Sequence, residues 1–511
     1  MKPKFYITTP IFYVNGAPHI GHAYTCIACD VMARWKRLDG FEVFFLTGTD
    51  EHGQKVEKAA ADAGLAPQEF TDQVSAVFQD MTARMNISND DFIRTTSPQH
   101  KSGCAALWTR LQDSGAIYLG GYDGWYAVRD EAFYDEGELV TRPDGSKMAP
   151  TGAPVEWVTE PSYFFRLSDF QDRLLAFYES NPDFIAPVAR RNEVLSFVRG
   201  GLRDLSVSRT SFRWGVPVPG DEAHVMYVWL DALANYITEL GYPDEKTPLW
   251  HLWPADLQVV GKDILRFHAV YWPAFLMAAG LDLPKRLYSH GWWTVDGEKM
   301  SKSLGNVINP RDIVAQYGVD PFRYFLLREV PFGNDGDFSR RALTSRLNVE
   351  LANDLGNLAQ RSLSLIARHC DGLLPARGAL AEDDTVILAA AEALPALLRG
   401  RLDVQGFGDA LEDVWKVIRA ANSYIDRQAP WALRKTDLPR MATVLRVLAD
   451  VLRVVATVLQ PFMPDSMARM LDQLGAPPDL RDIASIANAL PDGTQLPPPT
   501  GVFPRHVEDA I

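Results

Sequence analysis

The stretch that decides the fold is FYITTPIFYVNGAPHIGHAYTCIACDVMARWKRLDGFEVFFLTGTDEHGQK, residues 5–55. Its β-rich start is bounded by Pro10, and its longest helical pattern ends at Gly40. The stretch predicts a strand at 5–9, a helix from about 20 to 38, a strand at 42–46 and a helix near 54–63. Strand, loop and helix repeated in this order are typical of a parallel sheet with crossover helices.

The pattern changes after about Gly115. Residues 118–165 are rich in glycine and aromatic residues and lack helical periodicity, which predicts a small, mostly β insertion. The α/β pattern resumes after about Val216, with a strand at 257–260, a turn at 261–263, a helix at 264–279 and a strand at 286–289. The sequence therefore predicts one Rossmann-like nucleotide-binding fold that is split by an insertion.

A helix bundle is predicted from Arg340 onward, where strand signals nearly vanish. Helical periodicity covers residues 347–368, 383–398, 404–427 and 438–459. The most apolar stretch, 444–463, carries Arg446, Asp450 and Arg453 on one helical face, so we expect an amphipathic bundle helix. The tail at 490–500 is rich in proline and polar residues, which predicts irregular structure.

These changes of pattern predict an α/β chain with five segments. They are the first half of a Rossmann-like catalytic domain at 1–115, a connective insertion at 116–215, the second catalytic half at 216–339, an α-helical domain at 340–490 and an irregular tail at 491–511.

Composition excludes several classes of protein. Of 511 residues 47% are apolar and 23% charged, which is the balance of a globular protein. No signal peptide and no run of about 18 uncharged apolar residues is present, so we expect a cytoplasmic protein without a membrane span. The net charge of −14 argues weakly against nucleic-acid binding, since a local basic patch is enough.

One basic run and one cysteine pair have two interpretations each. The run at 416–440 contains six basic and two acidic residues, and such a stretch is more often a solvated helix face than a nucleic-acid surface. Cys26 and Cys29 form a C-x-x-C, which we interpret as two small buried residues one helical turn apart. A closed zinc site needs four ligands, and no second pair of cysteines accompanies them.

The run His19-Ile20-Gly21-His22 lies between the first strand and its helix. A helix N-terminus presents free N–H groups and positive potential, so phosphate is favoured there. Gly21 would let a flat ring approach the backbone, and both histidines could donate hydrogen bonds to phosphate oxygens. The H-x-G-H pattern by itself is a weak signal.

A second signature, Lys299-Met300-Ser301-Lys302-Ser303, lies in DGEKMSKSLGN at 296–306. Two lysines among small polar residues suit a loop that holds polyphosphate, because the lysine ammonium acts as a point charge. A lysine–serine run is ordinarily a solvated loop. Its position downstream of H-x-G-H, across a split α/β fold, makes the pair of signatures much more specific.

At this point the sequence resembles the methionyl-tRNA synthetases among the class I aminoacyl-tRNA synthetases. The resemblance runs from about residue 4 to the helix bundle. The stretches that carry it are TTPIFYVNGAPHIGHAYT (8–25), VFFLTGTDEHGQK (43–55), NEVLSFVRGGLRDLSVSR (192–209), YVWLDAL (227–233) and VGKDILRFHAVYWPA (260–274).

The resemblance implies two reactions: activation of methionine with ATP, accompanied by Mg²⁺, and transfer of the methionyl group to tRNA(Met). It implies that the triphosphate is held by His19, His22, Lys299 and Lys302, with Gly21 and Ser301 beside them. Gly261 and Asp263 correspond to residues that contact the ribose, and Arg209 is a further candidate for the phosphates.

The resemblance also implies a methionine pocket. The carboxylate of Asp50, in TGTDEHG, is expected to bind the amine, although the residue type would also suit a helix N-cap. The thioether needs apolar and aromatic walls, because sulfur is polarisable and a weak acceptor. The implied walls are Ile11, Tyr13, Trp229, Ala232, Leu233, Tyr236, Ile264 and His268, most of which would also pass as core residues. Leu233 stands where other members carry proline.

The helical domain is implied to read the CAU anticodon. The corresponding residues are Asn357 and Arg361 in GNLAQR (356–361) and Trp431 in QAPWALRK (428–435). Residues four apart share one helical face, and an exposed tryptophan or arginine can stack on unpaired bases. The basic run around Trp431 then becomes a candidate surface for the tRNA backbone, while Trp431 as a core residue remains the alternative.

Two departures from the family are expected to have consequences. Many members carry C-x-x-C zinc knuckles in the insertion, and the matching positions here are Ala127, Asp130, Met148 and Thr151, so we expect no structural zinc. The chain ends soon after the bundle, so we expect a monomer. The main alternative function is a catalytically inactive RNA-binding or scaffold protein of the same fold, which intact signatures argue against.

Overall fold

The computed structural model describes residues 2–130, 132–295, 297–300 and 306–506. Its centre is a seven-stranded parallel sheet. The first part of the chain contributes, in order, β1 (Lys4–Thr8), β2 (Phe12–Tyr13), α1 (Ile20–Leu38), β3 (Glu42–Asp50), α2 (Gln54–Asp62), α3 (Pro67–Arg84), β4 (Asp91–Arg94) and α4 (Pro98–Asp113). The helix α1 has the bounds that the sequence predicts, and Cys26 and Cys29 are both buried in it.

The next part of the chain is mostly β. It contains β5 (Ile117–Ala127), β6 (Ala132–Tyr134), β7 (Val140–Thr141), β8 (Lys147–Met148), β9 (Glu156–Phe165), α5 (Gln171–Ser180), β10 (Ile185–Ala186), α6 (Val188–Arg199), β11 (Leu205–Ser206), β12 (Ser208–Arg209), β13 (Pro217–Val218) and β14 (Asp221–Met226). The strands β11, β9, β5 and β6 form an antiparallel sheet. The strand β10 instead joins the edge of the parallel sheet beside a later strand.

The parallel sheet is completed by later strands. This part contains α7 (Val228–Thr238), β15 (Leu257–Gly261), α8 (Trp272–Ala279), β16 (Leu287–His290), β17 (Trp293–Val295), β18 (Glu298–Lys299), α9 (Pro310–Tyr317), α10 (Val319–Arg328) and β19 (Gly336–Phe338). The chain winds outward from β1 through β3 to β4 on one side, and through β15 to β16 on the other. The carboxyl ends of β1 and β15 therefore flank the point where the winding reverses, which is where open α/β sheets bind ligands.

The last part of the chain is a helix bundle, as the sequence predicts. It contains α11 (Arg340–Arg346), α12 (Asn357–His369), α13 (Glu382–Glu392), α14 (Leu394–Asp403), α15 (Phe407–Gln428), α16 (Pro430–Leu433), α17 (Leu438–Leu459) and α18 (Pro464–Gln473). The single helix predicted at 383–398 is wrong, because α13 and α14 are separate and Pro395 lies in the first turn of α14. None of the helices in these described ranges has the length and apolar character that crossing a membrane requires.

Three charged residues of α17 are buried, whereas an amphipathic helix would turn them to solvent. Arg446, Asp450 and Arg453 are only 1%, 5% and 3% exposed. The tail of the chain covers them: Arg446 donates to the carbonyl of Leu490 at 2.6 Å, and Arg453 donates to that of Ile486 at 2.7 Å. Residues 481–506, the described part of the tail, form no helix or strand, so their backbone carbonyls need such donors when they are buried.

A buried arginine joins the helix bundle to α1. Arg323 of α10 is fully buried and donates to the Asp30 carboxylate of α1 at 2.6 Å. Its other four hydrogen bonds go to the backbone carbonyls of Met85, Asn86, Pro461 and Phe462, at 2.8–3.3 Å. The loop after α3, the helix α1 and the loop after α17 therefore all meet at one guanidinium.

Substitution of Arg323 with methionine is expected to lower the free energy of unfolding by about 3–5 kcal/mol, because it leaves Asp30 buried without this partner. Urea denaturation monitored by circular dichroism at pH 7 measures the change. The matched control is Arg84→Met, which removes an exposed ion pair with Asp80 and is expected to lower the free energy of unfolding far less than Arg323→Met, because water screens the pair. Equal losses for the two variants would contradict the assignment.

Candidate active site

A cavity of about 510 Å³ lies where the carboxyl ends of β1, β3, β15 and β16 meet. Fourteen of the residues predicted from the sequence line it, although they come from positions far apart in the chain. They are Ile11, Tyr13, His19, Gly21, His22, Asp50, Trp229, Ala232, Leu233, Tyr236, Gly261, Asp263, Ile264 and His268. All nine residues predicted for methionine are in this set.

The two histidines at the start of α1 have their ring protons fixed by backbone hydrogen bonds. The Gly21 N–H donates to Nδ1 of His19 at 3.1 Å, and the His19 N–H donates to Nδ1 of His22 at 3.0 Å. Because each Nδ1 accepts a hydrogen bond, the proton of each neutral ring is on Nε2. Burial and the neighbouring His19 hold the pKa of His22 well below its ordinary value, so His22 is a neutral donor.

Gly21 is required by the ring of His19. A Cβ atom at this position would lie 2.9 Å from Cε1 of His19, which is too close for a real contact. The sequence interpretation assigned this space to a ring of the ligand, and in the structure the imidazole of His19 fills it. The glycine thus permits the capping arrangement that sets the tautomer of His19.

The second signature lies only partly within the described residues. Lys299 is described for its backbone, which pairs with Thr294 in β17, and Ser301, Lys302 and Ser303 lie outside the described ranges. Met300 and Val307, on either side of the gap, both line the cavity. The Ile20 N–H in the first signature donates to the carbonyl of Ile308 at 3.2 Å. The first signature is therefore in direct contact with the chain a few residues beyond the second signature.

The predicted ribose residues lie at the end of β15. Gly261 is its last residue, and a Cβ atom there would come within 2.6 Å of a carboxylate oxygen of Asp263. The indole N–H of Trp292 donates to the same oxygen at 3.3 Å. Trp292 and His290 line the cavity as well, and sequence reasoning missed them. The sequence could have indicated these two residues, because they follow the strand predicted at 286–289. The end of that strand lies at the edge of the sheet where ligands bind.

The apolar part of the cavity is one face of α7 together with the chain after β15. Trp229, Ala232, Leu233 and Tyr236 recur at helical spacing on that face. The Tyr236 hydroxyl lies 2.7 Å from Nε2 of His268, whose Nδ1 lies 3.0 Å from the Ile264 carbonyl. A carbonyl only accepts, so the proton of His268 is on Nδ1 and the Tyr236 hydroxyl donates to Nε2.

The structure corrects the helix predicted at 264–279. Its first part is a 3₁₀ turn and then a π-helical segment, Phe267–Tyr271, before α8 begins. The π-helical segment contains His268, and the ring of Phe267 stacks on Trp229 with their centroids 3.6 Å apart. Such segments often occur at functional sites, and apolar periodicity alone does not distinguish them from an α-helix.

Asp50 is the last residue of β3 and pairs with Tyr13 of β2. The Val14 N–H donates to its carbonyl at 3.2 Å. The next residue, Glu51, is fully buried and accepts two hydrogen bonds from the guanidinium of Arg94, at 2.7 and 2.9 Å. Asp50 is therefore held at the cavity by strand pairing on one side and by a buried ion pair on the other, and it is not a helix N-cap.

Arg209 is the predicted ATP residue whose described side chain does not line the cavity. It is 2% exposed, lies over the ring of Tyr227 and donates to the Ser206 hydroxyl at 2.8 Å. Both residues of β12 are buried, so Arg209 lies within the protein and not at the cavity wall.

The predicted anticodon residues lie together on the helix bundle. Asn357 begins α12, and Arg361 follows one turn later on the same face. The guanidinium of Arg361 lies 5.2 Å from the ring centroid of Trp431 and donates to Asp426 at 2.6 Å. Trp431 is 41% exposed, so it is not a core residue. Ala429 has a positive φ of 46° just before Pro430, which turns the chain at this point.

Comparison with known proteins assigns the chain to a family. The profile described as "tRNA synthetases class I (M)" matches residues 5–363, and "Anticodon binding domain of methionyl tRNA ligase" matches 374–511. The methionine–tRNA ligase of Mesorhizobium japonicum is 56% identical over 509 residues, covering 99% of this chain and 98% of its own.

The chain belongs to the methionyl-tRNA synthetase family. The methionine–tRNA ligase of Brucella suis is also 56% identical, over 99% of both chains. A solved structure of Mycobacterium tuberculosis methionyl-tRNA synthetase in complex with methionyl-adenylate has a TM-score of 0.97 at 53% identity, over 98% of this chain and 100% of that one. The α/β fold with a helical C-terminal part is thereby confirmed.

The zinc-knuckle positions of the methionyl-tRNA synthetase family do not fit a metal in this chain. Ala127 is buried in a small cluster with Ala149 and Ala153. Asp130 is the one potential ligand among the four positions, and its carboxylate accepts hydrogen bonds from the hydroxyls of Tyr134 and Thr151. A closed zinc site needs four ligands, which these four residue types do not supply, and the absence of structural zinc stays a prediction.

The basic run at 416–440 is largely neutralised by carboxylates. Lys416 pairs with Asp413, Arg419 with Glu412, Arg427 with Asp383 and Arg440 with Asp384. Within this run only Arg434 and Lys435 make no ion pair with a described residue. The interpretation of the whole run as a surface for the tRNA backbone was too broad, because its carboxylate partners come from other helices and from i−3 and i−7 positions.

His268 is expected to remain neutral throughout the physiological pH range. Burial lowers its pKa from 6.5 to about 4, although its hydrogen bond to Ile264 opposes this. The unfolded chain would bind this proton near pH 6.5, so the contribution of His268 to stability falls as the pH decreases from 6.5 towards 4. Titration of ¹⁵N-labelled histidines by NMR, with His268→Gln for assignment, should give a neutral Nδ1–H ring down to about pH 5. A midpoint near 6.5 would contradict the arrangement.

Proposed function

We propose that this protein is a methionine–tRNA ligase that activates L-methionine with ATP and transfers the methionyl group to tRNA(Met), including the initiator tRNA. The observation that carries the proposal is one cavity lined by the start of α1, Asp50 and the apolar face of α7. Membership of the methionyl-tRNA synthetase family supports the same chemistry. The inactive RNA-binding alternative is not favoured, because His19, His22 and Asp50 are all present at this cavity.

In the first step the methionine carboxylate attacks the α-phosphate of MgATP. A bond forms between a carboxylate oxygen and phosphorus, and the bond to the bridging oxygen breaks as pyrophosphate leaves with the electron pair. In-line displacement of this kind depends mainly on positioning and charge stabilisation. The Nε2–H groups of His19 and His22 are suited to donate to the phosphates, together with Lys299, Ser301 and Lys302 from the second signature. Gly261 and Asp263 would receive the ribose.

Methionine would bind with its ammonium group at Asp50 and its side chain against α7. The Tyr236 hydroxyl is already used as a donor to His268, so the pocket presents a polar pair whose hydrogen bonds are satisfied internally. A thioether is a weak acceptor and needs no strong donor. An internally paired hydroxyl and imidazole therefore suit methionine better than a side chain with strong donors of its own.

In the second step a ribose hydroxyl of the terminal adenosine of the tRNA attacks the carbonyl carbon of the adenylate, and AMP leaves. Asn357, Arg361 and Trp431, which lie in the helical domain beyond the catalytic segments, would bind anticodon bases. The monomeric state and the cytoplasmic location stay predictions from the sequence, and Arg209 is retained only as a residue that supports the site from outside.

Amino-acid-dependent ATP–pyrophosphate exchange tests the proposed activity. Each standard amino acid is supplied in turn without tRNA, and exchange is expected with methionine only, because the apolar face of α7 excludes charged and strongly polar side chains. Exchange with a different amino acid would reject the pocket assignment but keep the chemistry. Absence of exchange with every amino acid would reject the proposed function.

Substitution of Trp431 with alanine tests the anticodon surface. Loss of base stacking is worth about 1–3 kcal/mol, so kcat/KM for tRNA(Met) is expected to fall about 10-fold to 100-fold in aminoacylation. Methionine-dependent exchange without tRNA should be unchanged. The control is Val386→Ala, because Val386 is 63% exposed on α13 and has no assigned role. Equal effects of the two substitutions would refute the role of Trp431.

A further inference from the structure

A buried cluster of titratable groups lies on the opposite face of α7 from the cavity. Asp231 is fully buried, and its two carboxylate oxygens lie 2.6 Å from Nδ1 of His52 and 2.7 Å from Nε2 of His100. The Cys104 thiol lies 3.1 Å from the same His100 nitrogen. These donors and acceptors are already bonded to one another, so the cluster is a hydrogen-bond network rather than an open metal site.

The two sides of this network belong to different parts of the fold. His100 is in α4, and its second nitrogen lies 2.8 Å from the hydroxyl of Thr238, two turns beyond Asp231 in α7. His52 is in the loop after β3, two residues beyond Asp50. Burial raises the pKa of Asp231, but the two imidazoles lower it by more, so the carboxylate is ionised and accepts from both.

The orientation of His52 depends on Asp231. Its other ring nitrogen, Nε2, is buried and has no hydrogen-bond partner among the described residues. The loop that carries it is otherwise fixed on the side away from α7, by Glu51 with Arg94 and by the Gly53 N–H, which donates to the Trp214 carbonyl at 2.9 Å. The bond from His52 to Asp231 is therefore the polar link, among the described residues, between this loop and α7.

The proposed function gives this link a purpose. Methionine binding needs a carboxylate for the ammonium group, on Asp50, and apolar walls for the thioether, on α7. These two parts of the pocket are on separate elements, and the distance between them must match the length of one side chain. Asp231 and the pocket residues lie on opposite faces of α7, so Asp231 does not line the cavity.

We propose that Asp231 is a positioning residue that sets amino-acid specificity: through His52 it fixes the separation between the Asp50 carboxylate and the thioether-binding face of α7. This inference rests on the proposed function. This separation determines which length of amino-acid side chain fits the pocket. Loss of the link relaxes the loop, weakens methionine binding and reduces the penalty for side chains that are one methylene too short or too long.

ATP–pyrophosphate exchange tests this selection for side-chain length. The three probes are methionine, S-methylcysteine, which is one methylene shorter, and ethionine, which is one methylene longer. Each methylene is expected to cost the unmodified protein about 10-fold to 200-fold in kcat/KM. In Asp231→Asn, KM for methionine should rise at least about tenfold while KM for ATP changes less than about twofold. The preference for methionine over both analogues should fall at least about fivefold.

The matched control is Asp384→Asn. Asp384 is an equally buried carboxylate that pairs with Arg440 and Tyr424 in the helix bundle, far from the cavity in the chain. The Asp384→Asn substitution should lower thermal stability without a change in KM for methionine or in the preference for methionine over the two analogues. A change of preference in the control as large as in Asp231→Asn would overturn the proposal, because it would reflect general loosening.

A second pair of variants decides the question if Asp231→Asn does not fold. His52→Asn keeps a side-chain N–H near the position of Nδ1 and should retain most of the preference for methionine, whereas His52→Leu removes the donor and should lose it. Equal preference for methionine over the two analogues in both His52 variants would overturn the proposal. If the unmodified protein gives no exchange with methionine, the proposed function is overturned as well. If the unmodified protein gives normal exchange but the preference is unchanged in Asp231→Asn, only this inference is overturned.

Discussion

The buried contact between Arg323 and Asp30 is the constraint on which the arrangement of the two halves of the molecule depends. Asp30 is in α1, the helix that begins at the first signature, and the carbonyls of Pro461 and Phe462 directly follow the bundle helix α17. A buried guanidinium without these partners would be costly, so the catalytic helix and the bundle cannot separate without exposing a charge. Together with the ion pairs Lys36–Asp403 and Arg399–Asp39, this contact holds the bundle against α1, whose first turn carries the first signature.

The cavity combines groups that no single segment could supply. The winding of the sheet reverses between β1 and β15, and their carboxyl ends bring the first signature, Asp50 and the ribose residues to one place. Two π-helical segments lie at the two functional regions: Phe267–Tyr271 contains His268, and Leu347–Gly356 ends immediately before Asn357. A π-helical turn shifts the side chains that follow it out of the positions that an α-helix would give them. This is a physical reason for irregular helices at sites that need side chains in fixed positions.

The sequence predicted the parts of the fold that repeat and the parts of the site that form motifs. The bounds of α1 were predictable because Pro18 precedes the helical pattern and Gly40 ends it, and the nine methionine residues came from a family resemblance. The π-helical segment around His268 was missed, because apolar periodicity does not distinguish π from α. The burial of Arg446, Asp450 and Arg453 was missed because it depends on the tail, whose packing has no periodic signal. The network around Asp231 has no periodic signal either, since His52, His100 and Asp231 are separated from one another by 48 to 179 residues.

An acidic chain that recognises tRNA must obtain its affinity from few contacts. The net charge is −14, and most of the basic side chains at 416–440 are paired with carboxylates of the chain itself. Phosphate contacts release counterions and bind any sequence, so a surface with few unpaired cations gains little nonspecific affinity. The base contacts proposed for Trp431 and Arg361 would supply the sequence information that phosphate contacts lack. The pairing of the basic run thus favours selection among tRNAs over tight binding to all of them.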